Sequence, residues 1–132
     1  MLRPIHFEIH CDEPARAVEF YTKVFGWEIK KWESPTMEYW MVMTAPKDDP
    51  SMGINGGLLR RPGGPVAGGA CMNAFVCTMD VPSIDECLTK IIAAGGTIAM
   101  PKFMIADMAW QAYAKDTEGN TFGIHEVIKK MG

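Results

Sequence analysis

Apolar and polar residues alternate from Ile5 to Cys11. This predicts a half-buried strand with Ile5, Phe7, Ile9 and Cys11 on one face and His6, Glu8 and His10 on the other. The period then changes. Ala17, Phe20, Tyr21 and Val24 recur at helical spacing, and Asp12-Glu13-Pro14 starts that helix, because proline suits the first helical position. Gly26 can close it. Three strands follow: Trp27 to Glu33, Met37 to Thr44 and Met52 to Arg60. The middle one places Met37, Tyr39, Met41 and Met43 on one face, opposite Glu38, Trp40 and Val42. Gly53, Gly56 and Gly57 weaken the last one, and such glycines mark bulges or a close approach to the backbone.

The same order is then written again. Asn73 to Met79 reads as a strand, and Ser83-Ile84-Asp85-Glu86 as a capping box. The helix that follows carries Ile84, Cys87, Leu88 and Ile91, and Gly95-Gly96 stops it. Thr97 to Met100, Ala109 to Lys115 and Thr121 to Ile128 read as strands. Phe103 to Met108 reads as a loop over the mouth of a cup, and Asp116-Thr117-Glu118-Gly119-Asn120 as a turn. Aligning Phe7 with Phe75 and Asp12 with Asp80 matches His6 to Ala74. The fold class is α+β: two tandem βαβββ modules form a cup-shaped mixed sheet with helices on the outside. The modules span residues 1–60 and 70–132, and the Pro- and Gly-rich stretch 61–69 links them.

Composition narrows the function. At 132 residues and 48% apolar, the chain can fill one core, so disorder is excluded. The net charge of −3 and the lack of a basic stripe with interleaved aromatics argue against nucleic acid. No apolar run reaches the roughly 20 residues that cross a bilayer, and Met1-Leu2-Arg3-Pro4 opens no signal peptide. Cys11, Cys71, Cys77 and Cys87 have neither disulfide nor zinc spacing. Three of them fall in apolar patterns and read as core residues. A cytoplasmic protein is expected.

In combination, several motifs resemble the vicinal oxygen chelate superfamily, the glyoxalase, bleomycin-resistance and extradiol-dioxygenase fold. They are Arg16-Ala17, Phe20-Tyr21 and Phe25-Gly26-Trp27 in the first module, and Gly95-Gly96-Thr97 with Asp116 to Gly123 in the second. The resemblance implies a homodimer and a divalent metal held by a His on the first strand and a Glu on the last strand of each module. His6 and Glu126 stand at two of those four positions. Ala74 and the carboxylate-free stretch Ile54 to Leu59 stand at the others. His10 cannot join His6, since four strand residues span roughly 13 Å while two ligands of one ion lie about 3–4 Å apart.

His6 and Glu126 are therefore the candidates for metal binding or, without metal, for acid–base catalysis. Tyr39, Met41, Phe103, Met104 and Trp110 are candidates for the wall of a small-molecule pocket, with Met37, Met43, Met100 and Met108 beside them. A serine elbow, a phosphate loop and a dinucleotide fingerprint are all missing. Three readings stay open. One is a lyase, isomerase or dioxygenase-type enzyme acting on a small organic molecule. Another is a non-catalytic binder of a drug or metabolite. The third is a purely interacting dimeric subunit with a filled cup.

Overall fold

Each half of the chain builds one four-stranded mixed sheet with a helix on one face. The computed structural model describes residues 3–35, 38–64 and 75–128. The chain divides into two compact units, Met1–Pro65 and Val66–Gly132, and each is described by itself.

In the first unit β1 (Phe7–Cys11) leads through α1 (Pro14–Phe25) to β2 (Glu28–Lys31), β3 (Trp40–Met43) and β4 (Gly56–Arg60). The sheet order is β1-β4-β3-β2. β4 lies parallel to β1 and antiparallel to β3. α1 buries Ala17, Phe20, Tyr21 and Val24, and Cys11, Val42 and Leu58 are buried on the sheet. Burying the Phe20, Val24, Val42 and Leu58 side chains contributes about 1.5–3 kcal/mol each. Gly26 ends the helix in the left-handed region, at φ 73°, with its N–H donated to the Thr22 carbonyl at 2.9 Å. Trp27 then turns back and stacks on Tyr21, with ring centroids 5.2 Å apart.

The second unit repeats the path. β5 (Thr78–Asp80), α2 (Ile84–Ala93), β6 (Thr97–Ile105), β7 (Ala109–Lys115) and β8 (Thr121–Val127) form a sheet of order β5-β8-β7-β6. β5 and β8 are parallel. Ile84, Cys87 and Ile91 of α2 are buried, as are Ala112, Ala114, Phe122 and Ile124 on the strands. The Ser83 hydroxyl accepts from the Glu86 N–H at 3.2 Å, the cap its sequence announces. Between β7 and β8 the buried Asp116 carboxylate accepts from the N–H groups of Glu118 at 2.8 Å and Asn120 at 2.9 Å. Among the described residues no helix is long and apolar enough to cross a membrane.

Several expectations change. β2 and β3 are shorter than their patterns predict, with Tyr39 just before β3, and β5 starts only at Thr78 and ends at Asp80. β4 starts at Gly56 rather than Met52, because the Asn55 side chain takes over the ladder by accepting from the Thr44 N–H at 2.9 Å. β6 does not stop at Met100. It continues to Ile105, so Phe103 is a strand residue and no long loop separates β6 from β7. Pro101 is tolerated there because β6 is an edge strand whose register shifts between Met100 and Phe103. Cys77 is exposed, since it precedes the short β5, whereas Cys11 and Cys87 are buried. Cys71 lies outside the described residues.

Candidate functional site

The face of the first sheet away from α1 carries the densest polar arrangement. Register places Glu8 of β1, Gly57 of β4 and Met41 of β3 in one row. Tyr39, two residues before Met41, shares that face. Its ring lies across Gly57, in the space a side chain on residue 57 would need. From there the Tyr39 hydroxyl reaches β1: it stands 2.8 Å from His6 Nε2 and donates to Glu8 Oε2 at 3.2 Å. Trp32 anchors the other end, donating its N–H to the Tyr39 carbonyl at 2.8 Å with its indole edge-on to the phenol.

Protonation follows from this geometry. Burial raises the Tyr39 pKa, and the hydrogen bond and charge of Glu8 raise it further. The neutral phenol spends its proton on Glu8, so its oxygen accepts from His6 Nε2–H. That leaves His6 Nδ1 with the lone pair. The imidazole is exposed while the Tyr39 beneath it is buried. An imidazole oriented through a second group by a carboxylate is an arrangement suited to proton transfer.

The second sheet repeats the device with other chemistry. Thr78, Gly123 and Tyr113 form the equivalent row, and Gln111 stands two residues before Tyr113. The Gln111 amide lies across Gly123, where a Cβ would come within 2.7 Å of Gln111 Nε2 and 2.5 Å of Thr78 Oγ1. Gln111 Nε2 points to Thr78 Oγ1 at 3.5 Å, and Gln111 Oε1 lies 3.1 Å from His125 Nδ1. This register, with helices starting at Pro14 and Ile84, matches Glu8 to Thr78 and therefore His6 to Val76. The Ala74 assignment was two residues out, and Ala74 itself lies outside the described residues.

The candidate residues divide between the two faces of the sheets. Tyr39 and Met41 share the helix-free face with His6, and Phe103 lies on the corresponding face of the second sheet, paired with Gln111 and stacked 6.3 Å from Tyr113. Met104, Trp110 and Glu126 form one row on the opposite face, toward α2. There Lys102 sits 4.5 Å over the Trp110 ring and pairs with Asp85 of the helix at 3.1 Å. Glu126 Oε1 accepts from the Ile84 N–H at 2.8 Å, at the first turn of α2. Glu126, a candidate for metal binding or acid–base work, thus has its carboxylate engaged at a helix end. Met37 lies outside the described residues.

A family-type metal centre does not fit these side chains. Among the described residues no three His, Cys, Asp or Glu groups gather as ligands. His6 Nε2 is committed to Tyr39, Val76 is apolar, and β4 carries no carboxylate. Glu8, Gly57, Trp32, Gln111 and His125 were not singled out as site residues from sequence. The signals were present, since alternation put Glu8 beside His6 and the Gly56-Gly57 pair implied a close approach.

With this geometry in place, comparison with known proteins is informative. Residues 3–45, which hold His6, Glu8, Trp32, Tyr39 and Met41, match the family model described as bleomycin resistance protein-like N-terminal. No curated protein matches the chain. Solved structures match along its length. A glyoxalase family protein from Bacillus cereus superposes with a TM-score of 0.74 at 15% identity, covering 98% of this chain and 96% of its own. A glyoxalase/bleomycin resistance protein/dioxygenase family enzyme from Burkholderia phytofirmans gives 0.67 at 19% identity, over 93% and 97%. TioX from Micromonospora sp. ML1 gives 0.62 at 19% identity, over 95% and 98%. The fold is that of the glyoxalase/bleomycin resistance/dioxygenase superfamily.

Proposed function

We propose that this protein handles a small organic molecule on the helix-free face of its first sheet, with His6 Nδ1 taking up a proton from the ligand and Tyr39 and Glu8 holding the imidazole. The observation that carries this reading is the chain from His6 Nε2 through the Tyr39 hydroxyl to Glu8, laid over Gly57. Uptake of a proton at Nδ1 turns the ring into an imidazolium that keeps its Nε2–H on the Tyr39 oxygen. Met41 and Trp32, both partly exposed, supply adaptable apolar contact beside it. No step passes through a metal.

The non-catalytic alternative uses the same residues. The match of residues 3–45 to the bleomycin-resistance model favours it. In that case His6 Nδ1 accepts a hydrogen bond from the ligand and no proton is transferred.

A melting-temperature screen against small hydroxy and keto compounds and planar drugs tests both readings, run on the wild type and on His6→Ala. Compounds that stabilise the wild type and not the variant support a site at His6, and their turnover separates enzyme from binder. Compounds that stabilise both proteins equally, or only with added divalent metal, overturn it.

A further inference from the structure

We propose that the second sheet carries a ligand site of its own, centred on His125, which takes a planar aromatic molecule bearing an N–H or O–H donor. The inference does not rest on the His6 reading.

The acceptor in this site is built rather than incidental. Gln111 is only 4% exposed, wedged over Gly123 with its amide nitrogen toward Thr78. Its Oε1 faces His125 Nδ1 at 3.1 Å, and an amide oxygen can only accept. The proton therefore sits on Nδ1, and the lone pair is held on Nε2. Among the described residues His125 has no second hydrogen-bond partner, although its ring is only half-exposed. A fixed acceptor on a half-buried ring selects ligands with a donor.

The surroundings define the rest of the ligand. Phe103 is the cross-strand partner of Gln111, which pairs in turn with His125. The Phe103 ring lies within 21° of parallel to that of Tyr113 on the same face. Two near-parallel rings beside an acceptor suit a flat ligand, through stacking and apolar burial. Asp80 is the register partner of His125 on β5, and its carboxylate disfavours anions. Asp80, Tyr113 and Lys115 are the titratable groups of the neighbouring strands on the face of His125, with Asp80 directly opposite it and Lys115 four residues along β7 from Gln111. The class is thus a neutral or cationic aromatic donor, such as a phenol or an indole.

The test uses 15N-labelled protein, with phenol as probe and anisole as the control of similar shape that lacks a donor. Imidazole 15N shifts of the wild type should show His125 as the Nδ1–H tautomer. Phenol should move its Nε2 resonance, and anisole should move it far less. Gln111→Leu, which releases the tautomer, should weaken the phenol response about fivefold, as expected for one neutral hydrogen bond. His125→Phe should abolish the phenol preference and serves if Gln111→Leu does not fold. A wild-type Nε2–H tautomer, equal responses to phenol and anisole, or a phenol response at His6 alone would overturn the proposal. The His6 reading would survive the last of these results, so the two proposals fail separately.

Discussion

The phenol of Tyr39 occupies the space that a β-carbon on residue 57 would need, so Gly57 is required by its neighbour rather than by its own backbone. Gly57→Ala is expected to push the ring off the sheet and break its contacts with His6 and Glu8. The loss should be about 1–3 kcal/mol, the range for disrupting a buried hydrogen-bonded group. Denaturant unfolding checks it. In a Tyr39→Ala background the same substitution should cost far less, because the three atoms nearest a β-carbon there all belong to the Tyr39 phenol.

Alkaline pH tests the environment of Tyr39. Its pKa is raised by burial first and by Glu8 second. The unfolded chain, with a tyrosine pKa of about 10, therefore loses the proton before the folded protein does. The contribution to stability is fully present below pH ~10 and is lost as pH climbs through the folded value. Unfolding free energy followed through this range should fall more steeply for the wild type than for Tyr39→Phe.

Glu126 gives the opposite profile to a ligand-site residue. Glu126→Ala removes the acceptor for the Ile84 N–H and should destabilise the protein by about 1 kcal/mol, as loss of a helix cap does. Binding of any compound that depends on His6 should be unchanged at temperatures where the variant is folded. A selective loss of binding without loss of stability would return Glu126 to the site.

Thiol labelling reports on the two helix-facing cores. Cys77 is exposed and should react first among the described cysteines. Cys11 and Cys87 are buried, and burial raises the Cys87 pKa further, so both should wait for unfolding. Mass spectrometry of peptides after brief alkylation reads the order.

These outcomes also show which features the residue pattern could carry. β7 spans Ala109–Lys115 as alternation and turn residues predict, and α1 starts at Pro14 as its proline predicts. Local chemistry decides both. Glu126 was chosen from the family position on the last strand rather than from the period of that strand. Phe122 and Ile124, four and two residues earlier, are buried under α2, and a period of two puts Glu126 on their face. The repeat was misaligned because matching Phe7 to Phe75 rests on residue identity. Strand register and helix starts give a spacing two residues longer. The crossing of Tyr39 over Gly57 needs cross-strand register between segments far apart in the chain, which no local pattern contains.

Two sockets made of bare backbone, at Gly57 and Gly123, hold a phenol in one half and a carboxamide in the other. A duplicated gene could thus retool the reagent in each half by a single codon, provided the floor beneath stayed a glycine. Transplanting one tool into the other socket, as in Gln111→Tyr, is therefore the natural first step for redesigning what this scaffold grips.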